Sequence, residues 1–159
     1  TLHRAENTDS PERLQSIIAA LEEIAREMPV VIPIHPRTRK KLQELNFDFK
    51  QTRLQLVDPV GYLEMVHLLK HCSLVATDSG GLQKEAYFFK KYCITLRTET
   101  EWIELVEQGA NIITGWKYED ILNSYKQLKH TTKDVFSSPL YGDGQAGHII
   151  IRELQRIDS

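Results

Sequence analysis

Residues 73–85 read Ser-Leu-Val-Ala-Thr-Asp-Ser-Gly-Gly-Leu-Gln-Lys-Glu. Ser73 to Thr77 is a short apolar run with no helical period, bounded by turn formers, which predicts a strand buried on both faces. Asp78 to Gly81 supplies a turn, and Leu82 to Phe89 predicts a helix. A strand that passes straight into a helix is the repeating half of a parallel α/β sheet. At such a junction free N–H groups and the positive end of the helix dipole face one point. Gly80 and Gly81 permit close approach to backbone and Ser79 adds a hydroxyl, an arrangement that suits a phosphate or diphosphate. Glu85 lies one turn further on. A carboxylate beside an anion site repels its ligand unless it accepts hydrogen bonds from a neutral group, such as a ribose diol, so the pair points to a nucleotide. A capped helix after an ordinary Gly-Gly turn explains the same residues without any ligand. The run is not a P-loop, because no Gly-Lys-Ser/Thr follows, and it is not Gly-x-Gly-x-x-Gly.

The alternation extends in both directions. Ser10-Pro11 is a cap with proline at the first helical position. From there Leu14, Ile17, Ile18, Leu21, Ile24 and Ala25 keep helical spacing until Pro29. Strands are predicted at Val30 to His35, Leu54 to Val57, Cys93 to Leu96 and Asn111 to Thr114. Helices are predicted at Arg37 to Asn46, Tyr62 to His71, Glu101 to Gln108, Tyr118 to His130 and Ala146 to Ile157. Gly109 suits the position after a helix end. Thr131 to Gly144 is the least regular stretch and reads as a surface loop. The fold class is therefore α/β, a Rossmann-like doubly wound parallel sheet with right-handed crossovers. Ligands on such domains bind beyond the carboxyl ends of the strands.

Composition narrows the function. The chain has 159 residues, with 20 Lys+Arg against 22 Asp+Glu and a net charge of −2. That length forms a core without disulfide or metal staples. The charge balance argues against a nucleic-acid partner that relies on a basic field. No apolar run approaches the ~20 residues of a membrane helix, and no signal peptide is expected. Cys72 and Cys93 form no Cys-x-x-Cys pair and read as free buried thiols of a reducing compartment. The opening Thr-Leu-His-Arg lacks an initiator Met and reads as the start of a fragment of a longer protein.

Other loops offer chemistry with an ordinary structural explanation beside it. His3 and Arg4, before the first helix, offer a proton-transfer group and a phosphate partner, or simply a solvated loop. His35-Pro36 ends a strand, where His35 serves a ligand or caps the next helix. Arg97 follows the Cys93 strand and reaches a ligand or pairs with Glu99 or Glu101. Trp102 is a stacking surface or a helix anchor. His67 and His71 have metal-pair spacing but no third ligand, so they read as an exposed helix face. No metal site is expected.

Taken in order, TLHRAEN (1–7), His35-Pro36, DPVGYLEMVHLL (58–69), TDSGGLQKEA (77–86), LRTETEWIELVEQGAN (96–111) and YGDGQAGHII (141–150) resemble the C-terminal half of the non-hydrolysing UDP-N-acetylglucosamine 2-epimerases. The resemblance covers almost the whole chain. It implies the second domain of a glycosyltransferase B-type two-domain fold, with residues 1–159 as the UDP-binding half and the N-terminal domain absent from this chain. It places Ser79, Gly80 and Gly81 at the diphosphate, Glu85 at the ribose, and Val60 and Met65 against uracil. His3 matches the family's active-site histidine, with Arg4 and Arg97 as possible phosphate contacts. The implied reaction is inversion at C2 by elimination and re-addition of UDP, without cofactor or metal. Its proton-moving carboxylates belong to the other half, so the isolated domain is expected to be inactive. The full-length protein is expected to be a cytoplasmic homodimer acting in polysaccharide biosynthesis. Lys84 and Trp102 depart from common family residues, glutamate and arginine, and the Thr-Glu-Trp version looks more like the branch acting on UDP-diacetamido uronic acids. The nucleotide-sugar-binding domain of a B-type glycosyltransferase and a nucleotide-sensing domain without chemistry are the alternatives.

Overall fold

The structure, a computed structural model, describes residues 1–157. Strands β1 (Val31–Pro33) and β2 (Gln55–Val57) pair in parallel. Strands β3 (Leu74–Thr77), β4 (Tyr92–Thr95) and β5 (Asn111–Ile113) form a second parallel ladder in the order β3-β4-β5. The parallel α/β expectation holds, with the hydrogen-bonded ladder divided into two groups. Thr1 lies on β3's free edge. The Thr1 amino group donates to Ala76 O at 2.8 Å, and the Asp78 N–H donates to Thr1 O at 3.3 Å. That is a single parallel rung on the edge away from β4. Leu2 nevertheless packs in one apolar cluster with Ile32 and Ile34 of the first group and Ile94 and Leu96 of the second.

Alternation along the strands sets the two faces. Leu74 and Ala76 of β3 and Ile94 of β4 turn toward the cluster built by α2 (Pro11–Ile24) and α7 (Tyr118–Lys129). Val75 and Cys93, one residue out of phase, turn toward α4 (Tyr62–His71) and α5 (Gly80–Phe88), where Leu69, Leu82 and Ala86 cover them. Helix α2 forms as its spacing predicts. Ser10 Oγ accepts from Arg13 N–H at 3.4 Å and Pro11 holds the first position. Its Leu14, Ile17, Ile18, Leu21 and Ile24 are buried, each contributing about 1.5–3 kcal/mol.

Three features differ from the sequence expectation. A short helix, α1 (Ala5–Thr8), follows Arg4 where a loop is predicted. Helix α5 begins at Gly80, so the two glycines form its first turn rather than a turn before it. Residues after α7 are irregular but anchored. Val135 is buried with Tyr87, Leu105 and Ala110, and Ser138 O accepts from the Tyr87 hydroxyl. The remaining helices are α3 (Pro36–Glu44), α6 (Ile103–Glu107) and α8 (Ala146–Ile157). Gly109 closes α6 at φ +81°, as its position predicts. Helix α8 leaves Ile149, Ile150, Ile151 and Leu154 exposed. Among the described residues no helix is long and apolar enough to cross a membrane.

Candidate functional site

The carboxyl ends of β1, β2 and β3 and the segment Thr1–His3 surround a cavity of about 320 Å³. Its lining includes His3, His35, Val60, Met65, Ser79, Gly81 and Glu85. It lies beyond the carboxyl ends of strands from both ladders, the end of such folds where ligands bind.

The β3–α5 junction builds one wall. Ser79 Oγ caps α5 by accepting from Leu82 N–H at 3.5 Å, and Ser79 O accepts from Gln83 N–H at 3.3 Å. Ser79 N–H is itself held by Thr77 Oγ1 at 3.0 Å. The N–H groups of Gly80 and Gly81 have no acceptor among the described residues. They are the orphan donors of a helix start, at the positive end of its dipole. The glycines differ in their surroundings. A Cβ on Gly80 would meet Glu101 Oε2 at 3.1 Å, whereas a Cβ on Gly81 would meet nothing within 4 Å. Packing therefore favours glycine at 80 but not at 81, where the missing side chain keeps the cavity open. Glu85 reaches the same cavity from one turn along α5, and Met65 reaches it from α4.

His3 is positioned by a group that the sequence reading left without a role. Asp78 is fully buried. Its carboxylate accepts the backbone N–H of His3 at 3.1 Å and of Arg4 at 2.9 Å, and the Asn7 amide at 3.3 Å. Asn7 also donates to Leu96 O at 2.8 Å, which pins the start of α1 to the end of β4. Nothing local in the sequence couples Asp78 to residues so far away, so only the fold discloses this strut. His35 caps α3 as expected, its Nδ1 accepting from Arg37 N–H at 3.2 Å, and the residue also lines the cavity.

Arg4 and Arg97 do not line the cavity. Arg97 is buried and its Nη1 donates to both oxygens of Glu101, at 2.9 and 2.8 Å. Glu6 and Glu99 lie at 3.5 and 3.8 Å from the same guanidinium. The hydrogen bond from Arg97 holds the Glu101 carboxyl below its usual range. Arg4 joins this cluster at 3.7 Å from Glu101. Trp102 likewise stays outside the cavity, with its indole N–H donating to Gly80 O at 2.8 Å. The rings of His67 and His71 stack on each other, 4.2 Å between centroids. Among the described residues no cluster of three His, Cys, Asp or Glu side chains is arranged to hold a metal ion.

Fold and site define a doubly wound α/β domain with a cavity at the carboxyl ends of its parallel strands, beside the start of α5. The chain matches the UDP-N-acetylglucosamine 2-epimerase family over residues 1–155 and belongs to that family. It is 50% identical over 159 residues to the UDP-2,3-diacetamido-2,3-dideoxy-D-glucuronate 2-epimerase of Pseudomonas aeruginosa, across 99% of this chain and 44% of that protein. It is 42% identical over 159 residues to the UDP-N-acetylglucosamine 2-epimerase of Methanocaldococcus jannaschii, across 97% and 43% respectively. The crystal structure of Methanocaldococcus jannaschii UDP-GlcNAc 2-epimerase in complex with UDP-GlcNAc and UDP matches with a TM-score of 0.82 and 39% identity, over 98% of this chain and 44% of that one. The chain thus spans less than half the length of these relatives.

Proposed function

We propose that this chain is the UDP-holding half of a sugar-nucleotide 2-epimerase, acting on UDP-GlcNAc or a related UDP-2-acetamido sugar. The observation that carries this reading is one cavity lined by Ser79, Gly81 and Glu85, with the Gly80 and Gly81 N–H groups unpartnered at the helix start beside it. Amides and the Ser79 hydroxyl suit a diphosphate, and Glu85 suits the ribose hydroxyls. Val60 and Met65 offer an apolar wall to the base. The 50% identity to an enzyme named for a diacetamido uronate supports that branch of substrates.

In the proposed reaction a base removes the C2 proton while UDP leaves from C1. UDP then adds back as the proton returns to the opposite face. The C2 proton is a poor acid, so leaving-group stabilisation must accompany its removal. Donors on the diphosphate therefore lower the barrier as well as bind. His3, on the rim of the same cavity, would sit by the diphosphate and sugar. The proton-moving carboxylates would come from the other half of the full-length protein. The exposed apolar residues of α8 and the 44% coverage support this division.

The test is to assay the full-length protein with a single UDP-sugar. Epimerisation of UDP-GlcNAc or the diacetamido uronate, with no acceptor present, is expected. A requirement for a second sugar substrate would overturn the proposal. The isolated chain is expected to bind UDP weakly and to show no turnover, because a cleft with one wall lacks its base and its exclusion of water.

A further inference from the structure

Trp102 touches the candidate site without lining it. Its indole N–H donates to Gly80 O at 2.8 Å. That carbonyl belongs to the same planar peptide group as the N–H of Gly81, which has no acceptor among the described residues, and Gly81 lines the cavity. A donor on one end of a peptide group fixes its plane and polarises the N–H at the other end. The indole is itself held from several sides. Its backbone N–H donates to Thr100 Oγ1 at 3.1 Å, and Thr100 in turn donates to the buried Gln83 at 2.6 Å. Lys84 Nζ lies 4.4 Å from the indole centroid and 4.1 Å from the Tyr141 ring, so one ammonium sits against two aromatic faces. Tyr141 meets the indole edge-on at 6.1 Å.

We infer that Trp102 is a positioning residue for the anion-binding amide of Gly81, acting through the Gly80–Gly81 peptide. Lys84, which turns away from the cavity, serves this arrangement by clamping the ring. The inference rests on reading the cavity as a diphosphate site, and its consequence is specific. Removing only the indole N–H weakens diphosphate binding while leaving the uracil and ribose contacts in place.

The experiment uses the full-length protein with glycine labelled in ¹⁵N. Trp102→Phe keeps an aromatic ring but lacks the donor, and 3-benzothienylalanine at position 102 keeps the bicyclic shape as well. In both variants the Gly81 amide resonance is expected to shift without any ligand present. Affinity for UDP and for inorganic pyrophosphate is expected to fall by about three- to tenfold, the scale of one lost hydrogen bond. Affinity for uridine should stay constant. An unmoved Gly81 resonance and unchanged pyrophosphate affinity in the benzothienyl variant would overturn the inference. Failure of the unmodified protein to bind UDP would instead overturn the reading of the cavity, while the ligand-free resonance still reports on the Trp102–Gly81 coupling.

Discussion

The Nδ1 atom of His3 lies 3.4 Å from Oδ1 of Asp78, a carboxylate with no solvent exposure. Buried charge is costly unless hydrogen bonds satisfy it. Here the N–H groups of His3 and Arg4 and the amide of Asn7 do so. Nδ1 is thus the ring nitrogen nearest the carboxylate, and His3 itself lines the cavity. The carboxylate holds the backbone of the His3 segment and places a buried negative charge beside its ring.

Replacing this carboxylate separates the two effects. Asp78→Ala strands three donors and is expected to cost about 2–4 kcal/mol, measured by urea unfolding. Asp78→Asn keeps one oxygen acceptor and should cost less. It removes the anion beside the imidazole, so the epimerisation proposed for the full-length protein should fall by at least tenfold in kcat with KM changed much less. A stable Asp78→Asn enzyme with normal turnover would refute the positioning of His3.

Much of the fold could be read from local pattern, because each strand and helix carries its own period and caps. The Ser10-Pro11 start and the Gly109 stop are examples, and both form as expected. What escaped depends on contacts distant in sequence. Asp78 caps residues more than seventy positions earlier, so no window of sequence contains both partners. Arg97 had a ligand, Glu99 or Glu101 as candidate partners, and the structure buries it among Glu101, Glu99 and also Glu6, which the sequence reading did not name. The cavity residues Val60 and Met65 were named only through family resemblance. A valine and a methionine carry no chemical signature apart from their place.

Gly81 offers a test in which stability and binding move apart. A methyl group there meets no protein atom within 4 Å, and the residue is in a helix. Gly81→Ala is therefore expected to leave stability unchanged or raise it by up to about 1 kcal/mol. The same methyl group enters the space proposed for the diphosphate. UDP affinity should fall by an order of magnitude or more. Calorimetric titration beside a thermal melt checks both directions in one protein.

Glu85 tests which part of the ligand lies where. As a hydrogen-bond acceptor for ribose it should matter to UDP and uridine but not to pyrophosphate. Glu85→Ala is expected to weaken UDP about tenfold or more, consistent with loss of a hydrogen bond to a charged group. Pyrophosphate should bind as well or slightly better, since a nearby negative charge is gone. Weaker pyrophosphate binding would place Glu85 in a structural role instead.

Cys93 provides a pH dependence whose sign follows from burial. The thiol is enclosed beneath α5, and burial raises it from about 9 to about 12. Below pH 9 both folded and unfolded chains keep the proton, and the group's contribution to stability is complete. Between pH 9 and 12 the unfolded chain releases a proton that the folded chain retains, so stability falls as pH rises. The slope from this group approaches about 1.4 kcal/mol per pH unit. Lysines and tyrosines titrate in the same window, so the isolating measurement is a difference. Urea unfolding of the unaltered protein and of Cys93→Ala should be compared at pH 8.5 and 10.5. The stability lost on raising the pH should be smaller in the variant. Equal losses would mean that the thiolate is tolerated in place and that the packing of Val75, Leu82 and Ala86 around it is looser than the structure describes.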